Sequence, residues 1–335
     1  YALWIQAFVI TTMVLTLNVL RARHAEPGRP DYPARMLGYL GEMFPLPLRV
    51  FTATVFFLGI AAMVRLILGS EQTFWNLSTL VGIWTLFAHM LLLRFMDELK
   101  DVEIDRELFP ERPLPSGRVS ARDIRLGMVI VTVLMLVPNL AVPSLLVATV
   151  ALLGYSFLMF RYFFVPGLLH HNLLPNLATH NPVVALVVLY AVSVVVAGHG
   201  MTLETLGLRN VALLIAFFWP ATFAWEIARK IRSTEEENAY VTYSQIFGRR
   251  RAVLIVAAAQ ALTLGAGLYF WLRLELSLLF PIVLLGSFVL TTAAHLRFVF
   301  RPGPSSSNLR PWAEAFLFCA LAAAVLEFEF GHLFG

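Results

Sequence analysis

The chain has almost no cysteine: Cys319 stands alone, inside an apolar run, in a sequence of 335 residues. That excludes a disulfide framework and a cysteine-built metal centre. Charge is scarce as well, because Asp, Glu, Lys and Arg together make up 14% of residues, where ordinary soluble domains carry about 25%. The other side of that balance excludes a soluble globular fold, since 59% of residues are hydrophobic and mean hydropathy is +0.76. The composition is that of a polytopic membrane protein. Short-period repeats, low-complexity segments and a separate soluble domain are all missing, and no nucleic-acid partner is expected.

Long apolar runs are what the chain has in quantity. A membrane helix needs about 20 mostly apolar residues, and the sequence predicts such helices near 1–20, 46–68, 75–96, 121–138, 142–163, 180–198, 208–226, 252–272, 277–296 and 312–332. Residues 1–20 carry neither a basic leader nor a clear small-residue cleavage site, so a membrane segment is expected there rather than a signal peptide. The expected organisation is an N-terminal membrane segment and cytoplasmic linker over 1–45, followed by one membrane domain over 46–335. Cytoplasmic loops retain Lys and Arg in excess. The loop over 21–49 and the loop after Met96 hold most of the arginines in the first half of the chain, so both are expected on the cytoplasmic face.

Against this apolar background one charged cluster stands out: Asp97-Glu98-Leu99-Lys100-Asp101-Val102-Glu103-Ile104-Asp105, directly after the apolar run over 74–96. A spacing of four residues puts Asp97, Asp101 and Asp105 along one helix face, with side chains about 5–6 Å apart. Such a row of carboxylates repels itself unless a cation joins it. Oxygen ligands beside phosphates are what Mg²⁺ accepts, so the row predicts a metal-diphosphate site. Pro110, Pro113 and Pro115 then stop the helix, Gly117 permits a tight turn, and Ser120 with Asp123 forms a capping pair for the next helix. This loop is expected to hold Arg106, Arg112 and Arg118 near the acids, where guanidinium groups bind phosphate oxygens in pairs.

These residues carry a resemblance. Asp101-Val102-Glu103-Ile104-Asp105, followed by Glu111-Arg112-Pro113-Leu114-Pro115-Ser116-Gly117-Arg118-Val119-Ser120, is similar to the first aspartate-rich motif and following loop of the UbiA-type intramembrane prenyltransferases. The hydropathy pattern from residue 46 onward also resembles that family. The resemblance implies an all-α fold, a nine-helix barrel around a cavity open to lipid, here with an additional N-terminal membrane segment. It implies an isoprenoid diphosphate whose head lies at the cytoplasmic edge and whose tail lies among apolar side chains, with Mg²⁺ as cofactor. Asp97, Asp101 and Asp105 are the metal candidates carried over from it. The family motif usually opens with Asn where this chain has Asp97, and Glu98 is an additional candidate ligand.

The family's second motif is another aspartate-rich run, and this chain departs from it. The corresponding stretch reads Glu226-Ile227-Ala228-Arg229-Lys230, then Arg232 and the glutamates Glu235, Glu236 and Glu237. Glu226 is expected to replace an aspartate ligand, while Arg229 and Lys230 stand as fixed cations that bind substrate. Lys100, Arg112, Arg118 and Arg161 complete the expected substrate-binding set, Arg161 because it follows Tyr155-Ser156 in an order similar to the family's. Arg161 has an alternative as a snorkelling interfacial residue. Arg94, one turn before Asp97, either neutralises the acids or snorkels. His170, His171 and His180 with Asn172, Asn176 and Asn181 suggest a hydrogen-bond network at a helix start rather than a metal site. His89 is open to either reading.

The expected chemistry is departure of diphosphate from an allylic isoprenoid and transfer of the prenyl group to an acceptor, in the family often an aromatic ring. A second reading is a terpene cyclase, because Asp97-Glu98-Leu99-Lys100-Asp101 has the acid spacing of cyclase metal motifs and the second motif is altered. A transporter or lipid-binding scaffold is the non-enzyme alternative. Transporters, however, commonly place polar groups near the membrane midplane, and here the charges gather at one face. The opening of a phospholipid head-group transferase motif is not found.

Overall fold

A computed structural model describes residues 30–71, 74, 76–169, 172–237 and 241–333, and all regular structure among them is helical. The expected membrane segment over 1–20, along with His170 and His171, lies outside the described residues. The helices divide into two compact units, one formed by residues up to Thr54 together with Leu80–Pro166, the other by Val55–Thr79 together with Gly167–Gly335.

In the first unit, α1 (Tyr32–Met43) begins where Asp31 accepts a hydrogen bond from the Ala34 amide at 3.1 Å. It docks on α3 (Leu77–Lys100) through Tyr39 and Phe95, whose ring centroids are 5.6 Å apart. Helices α2 (Leu46–Leu68), which passes into the second unit after Thr54, and α3 are long apolar helices. Asn76 caps α3 by accepting from the Thr79 amide at 2.9 Å. The short α4 (Val102–Leu108) follows a slight bend at Asp101, and α5 (Ala121–Asn139) opens on the predicted Ser120–Asp123 capping box. Gly127 of α5 sits where an added Cβ would come within 2.9 Å of the Phe95 ring, so its lack of a side chain sets how closely α5 approaches α3. Helix α6 (Pro143–Phe160) has proline in its first turn, where no amide partner is lost.

The second unit contains α7 (Leu173–His180), α8 (Val183–Gly198), α9 (Leu208–Ala228), α10 (Arg249–Leu274), α11 (Leu279–Phe300) and α12 (Arg310–Phe330). Ala224, Ile227, Val256 and Phe298 form the centre of a buried cluster that joins α9, α10 and α11. A Cβ added at Gly267 would meet Leu284 at 2.6 Å and Phe217 at 2.9 Å, a second place where glycine permits close packing.

Eight of these stretches are long and apolar enough to cross a membrane. The expected helix over 121–138 forms as α5, yet it falls outside that group because Arg122, Asp123 and Arg125 all lie in its first two turns. The expected helix over 142–163 is shorter than predicted. It stops at Phe160, and Tyr162, Phe163 and Phe164 turn the chain with φ of 49°, 49° and 59°. Left-handed backbone costs side-chain-bearing residues about 1–2 kcal/mol each, which makes this turn a strained reversal directly after a membrane helix.

Candidate active site

The acid row keeps helical register across the bend. The Asp101 amide bonds the Asp97 carbonyl at 2.9 Å and the Asp105 amide bonds the Asp101 carbonyl at 2.8 Å, so the three aspartates occupy consecutive turns from the last turn of α3 through the bend into α4. Asp97 and Asp101 are exposed, whereas Glu98 and Asp105 are buried. The buried pair are both matched by arginine. Glu98 bonds Arg94 one turn back, and Asp105 accepts from Arg112 at 2.7 Å while the same guanidinium lies 3.9 Å from the Phe109 ring centroid.

Lys100 sits at the junction with α6. Its Nζ lies 3.4 Å from the Met159 carbonyl oxygen and 4.2 Å from the centroid of the Tyr162 ring, which the left-handed turn presents to it. Burial, then the charges of Asp101 and Asp97, push the Tyr162 hydroxyl up to about 12, so it remains a protonated donor at neutral pH. His89 is part of the packing: its Nε2 pairs with the Ser156 hydroxyl at 2.9 Å, both groups buried between α3 and α6.

The proline loop is held by α1, whose part sequence reasoning missed. Arg35 donates to both carboxylate oxygens of Asp123, at 3.0 and 2.5 Å, while Asp123 also accepts from the Ser120 amide and hydroxyl at 2.9 Å each. Arg118, expected on substrate, donates to Glu42 at 2.7 and 3.1 Å and to the Glu111 carbonyl at 2.5 Å. Gly117, at φ 78°, makes the turn that brings Arg118 there.

In the second unit, Glu226 is held by Arg229 through two bonds of 2.6 and 2.7 Å, and that guanidinium lies 5.5 Å from the Trp225 ring centroid. Lys230 follows at the end of α9, its carbonyl accepting from the Tyr243 amide at 3.0 Å. The glutamate run has local structural work. Glu236 closes a capping box on Ser233, and Glu237 accepts from the hydroxyls of Thr242 at 2.7 Å and Ser244 at 2.6 Å. The Ser-x-x-Glu spacing from 233 to 236 was the readable signal for that box. His180 bonds the Asn176 carbonyl at 3.0 Å and Asn181 accepts from Trp219 Nε1 at 2.5 Å, while His170 and His171 lie outside the described residues.

A cavity of about 1230 Å³ lies between α3, α5 and α6 in the first unit. Leu92, Met96 and Leu99 line it. At 100° per residue these positions lie on the side of α3 turned away from Asp97 and Asp101. Arg161 opens into this cavity with Arg106 and Arg125.

Among the described residues no three His, Cys, Asp or Glu side chains are gathered into a group able to hold a metal ion. Mg²⁺ needs no such group, since it is commonly bound by one or two carboxylates plus waters and substrate phosphates. The exposed, adjacent Asp97 and Asp101 fit that donor set. Glu98, Asp105 and Glu226 each already hold a guanidinium.

The chain matches the model of the UbiA prenyltransferase family over residues 55–322. It is similar to a solved structure described as giving structural and mechanistic insights into the biosynthesis of digeranylgeranylglyceryl phosphate synthase in membranes, with a TM-score of 0.60 and 16% identity over 87% of this chain and 99% of that one. It is also similar to the apo structure of a UbiA homolog from Aeropyrum pernix K1, with a TM-score of 0.60 and 17% identity over 82% of this chain and 96% of that one. No curated protein matches it in sequence. At such identities the two structures speak to the fold alone, and they agree with an all-helical membrane chain. The family match runs from within α2 into α12 and takes in the whole acid row, and this multi-pass integral membrane protein therefore belongs to the UbiA prenyltransferase family.

Proposed function

We propose that the chain is an Mg²⁺-dependent prenyltransferase that moves the prenyl group of an isoprenoid diphosphate onto a small acceptor, with the reacting end on the cytoplasmic face. The observation that carries this reading is the row Asp97, Asp101, Asp105 on consecutive turns from the end of a membrane-spanning helix onward. Asp97 and Asp101 would hold the metal, which when bound neutralises charge on the departing diphosphate. Lys100, carrying a positive charge between those two acids, would meet a phosphate oxygen directly. Arg112 holds Asp105 in place, while its stacked guanidinium closes the row towards the loop. Transfer breaks the bond from the allylic carbon to the diphosphate oxygen and joins that carbon to the acceptor, which loses a proton. Glu226 and Arg229 act as one pre-paired unit at the second motif. The position of Glu98, turned onto Arg94, favours transfer over cyclisation, because the acid next to Asp97 does not join the row.

The test is mass spectrometry of products from purified protein given Mg²⁺ and isoprenoid diphosphates of several lengths, with and without a membrane lipid extract. Transfer requires diphosphate release coupled to an acceptor-dependent product, abolished by Asp101→Ala in protein that still inserts. A hydrocarbon or terpene alcohol formed without acceptor identifies a cyclase, and no diphosphate release at all sinks the enzyme reading.

A further inference from the structure

The cavity between α3, α5 and α6 does not belong to the acid row, and its own chemistry is that of an amphiphile site. One end carries Arg106, Arg125 and Arg161. All three are exposed, and among the described residues none of them has an ion-pair partner. Three like charges at one mouth repel one another and attract an anion. Apart from Ser120 and Thr132 the rest of the lining is apolar side chains and glycine, and Val129, Val150 and Phe157 are 61%, 52% and 50% exposed, a degree of apolar exposure that a membrane helix shows towards lipid. On α6 the apolar wall runs about 15 Å from Val150 to Phe160, and on α3 it runs about 10 Å from Leu92 to Leu99 before the bend. The longer wall equals half of the roughly 30 Å hydrocarbon core. The charge thus sits at one end of a groove as long as one leaflet.

We propose that this cavity binds one anionic membrane phospholipid, its phosphate on Arg106, Arg125 and Arg161 and an acyl chain in the groove behind α3. Basic pockets between membrane helices recognise anionic head groups in this way. An isoprenoid diphosphate suits the groove less well, because the carboxylates that would hold its metal face the other way. Gly154 marks where the chain passes: it lines the cavity, and a Cβ built on it meets nothing within 4 Å.

Native mass spectrometry of the purified protein with dioleoylphosphatidylglycerol or dioleoylphosphatidylcholine tests the site. Wild type should retain phosphatidylglycerol in preference to phosphatidylcholine. The double variant Arg125→Gln/Arg161→Gln should lose that preference by about ten-fold or more. Gly154→Phe, which fills the groove and leaves the arginines in place, should lose retention of both lipids, while Asp101→Ala should keep the preference. Equal retention across these proteins overturns the proposal. So does displacement of phosphatidylglycerol by geranylgeranyl diphosphate in EDTA from wild type but not from the double arginine variant, since the arginines would then serve the isoprenoid.

Discussion

Glu98 buries its carboxylate against Arg94 one turn back along α3, while its chain neighbour Asp97 stays exposed. Adjacent acids therefore have separate duties, one in holding the helix and one in the proposed chemistry. Glu98→Ala leaves a half-buried guanidinium without its partner, and breaking such a pair costs about 3 kcal/mol. Thermal unfolding in detergent should shift downwards for Glu98→Ala, with the Mg²⁺ concentration for half-maximal diphosphate release little changed. Asp97→Asn should show the reverse pattern. A large change in metal dependence for Glu98→Ala would return Glu98 to the metal.

The second motif gives a similar contrast. Glu226→Gln loses the charge that fixes Arg229, and should raise the Mg²⁺ requirement or lower kcat by about ten-fold or more, the scale seen when a site's supporting contacts are removed. Glu236→Gln loses part of a capping box and should cost about 1 kcal/mol of stability with a smaller effect on rate. Diphosphate release measured against Mg²⁺ for both variants checks the order, and a severe defect confined to Glu236→Gln would move the second site into the glutamate run.

Arg35 and Asp123, each with a side chain 7% exposed, tie α1 to the first turn of α5, where the proline loop ends. Arg35→Ala leaves Asp123 with its Ser120 bonds alone, and should destabilise by about 3 kcal/mol. Proteolysis of the loop over 109–118 should accelerate in the same variant. Unchanged cleavage would show that the loop is held by something other than this pair.

The Arg118–Glu42 pair should respond to pH. Its hydrogen bond from Arg118 holds the Glu42 carboxyl below the usual carboxylate range. A carboxyl lowered in the folded state stabilises above its unfolded pKa, and loses that contribution as pH falls through its folded value. Loop protection should therefore differ between wild type and Glu42→Gln at neutral pH and converge in acid. Both side chains are largely exposed, so high salt should narrow the difference too. A gap that persists in acid and salt would rule out the ion pair as its source.

The legible parts of this molecule were those encoded by local spacing. Apolar runs marked the membrane helices, intervals of four marked the acid row, and Ser120 to Asp123 marked a cap. Arg94–Glu98 and Glu226–Arg229 were equally within reach, being separated by four and three residues, although charge spacing alone leaves open whether an acid prefers a metal or an arginine. Arg35–Asp123 and Arg118–Glu42, 88 and 76 residues apart, depend on α1 docking over the loop, and no local pattern encodes a docking. The turn at 162–164 was hidden because Tyr162-Phe163-Phe164 contains no glycine to announce left-handed backbone.

Helix α3 bears Asp97 on one side and the apolar groove of Leu92, Met96 and Leu99 on the other, and this fixes its length more tightly than its composition. One residue inserted between Leu92 and Asp97 would rotate everything beyond it by about 100°, swinging the aspartates away from their station and pushing Leu99 towards it. An insertion of the same size at the exposed Ser116 would leave the phase of α3 untouched. A one-residue insertion should therefore cost less activity at Ser116 than within the last three turns of α3, so that phase along this helix, more than any single side chain, is what the sequence has to preserve.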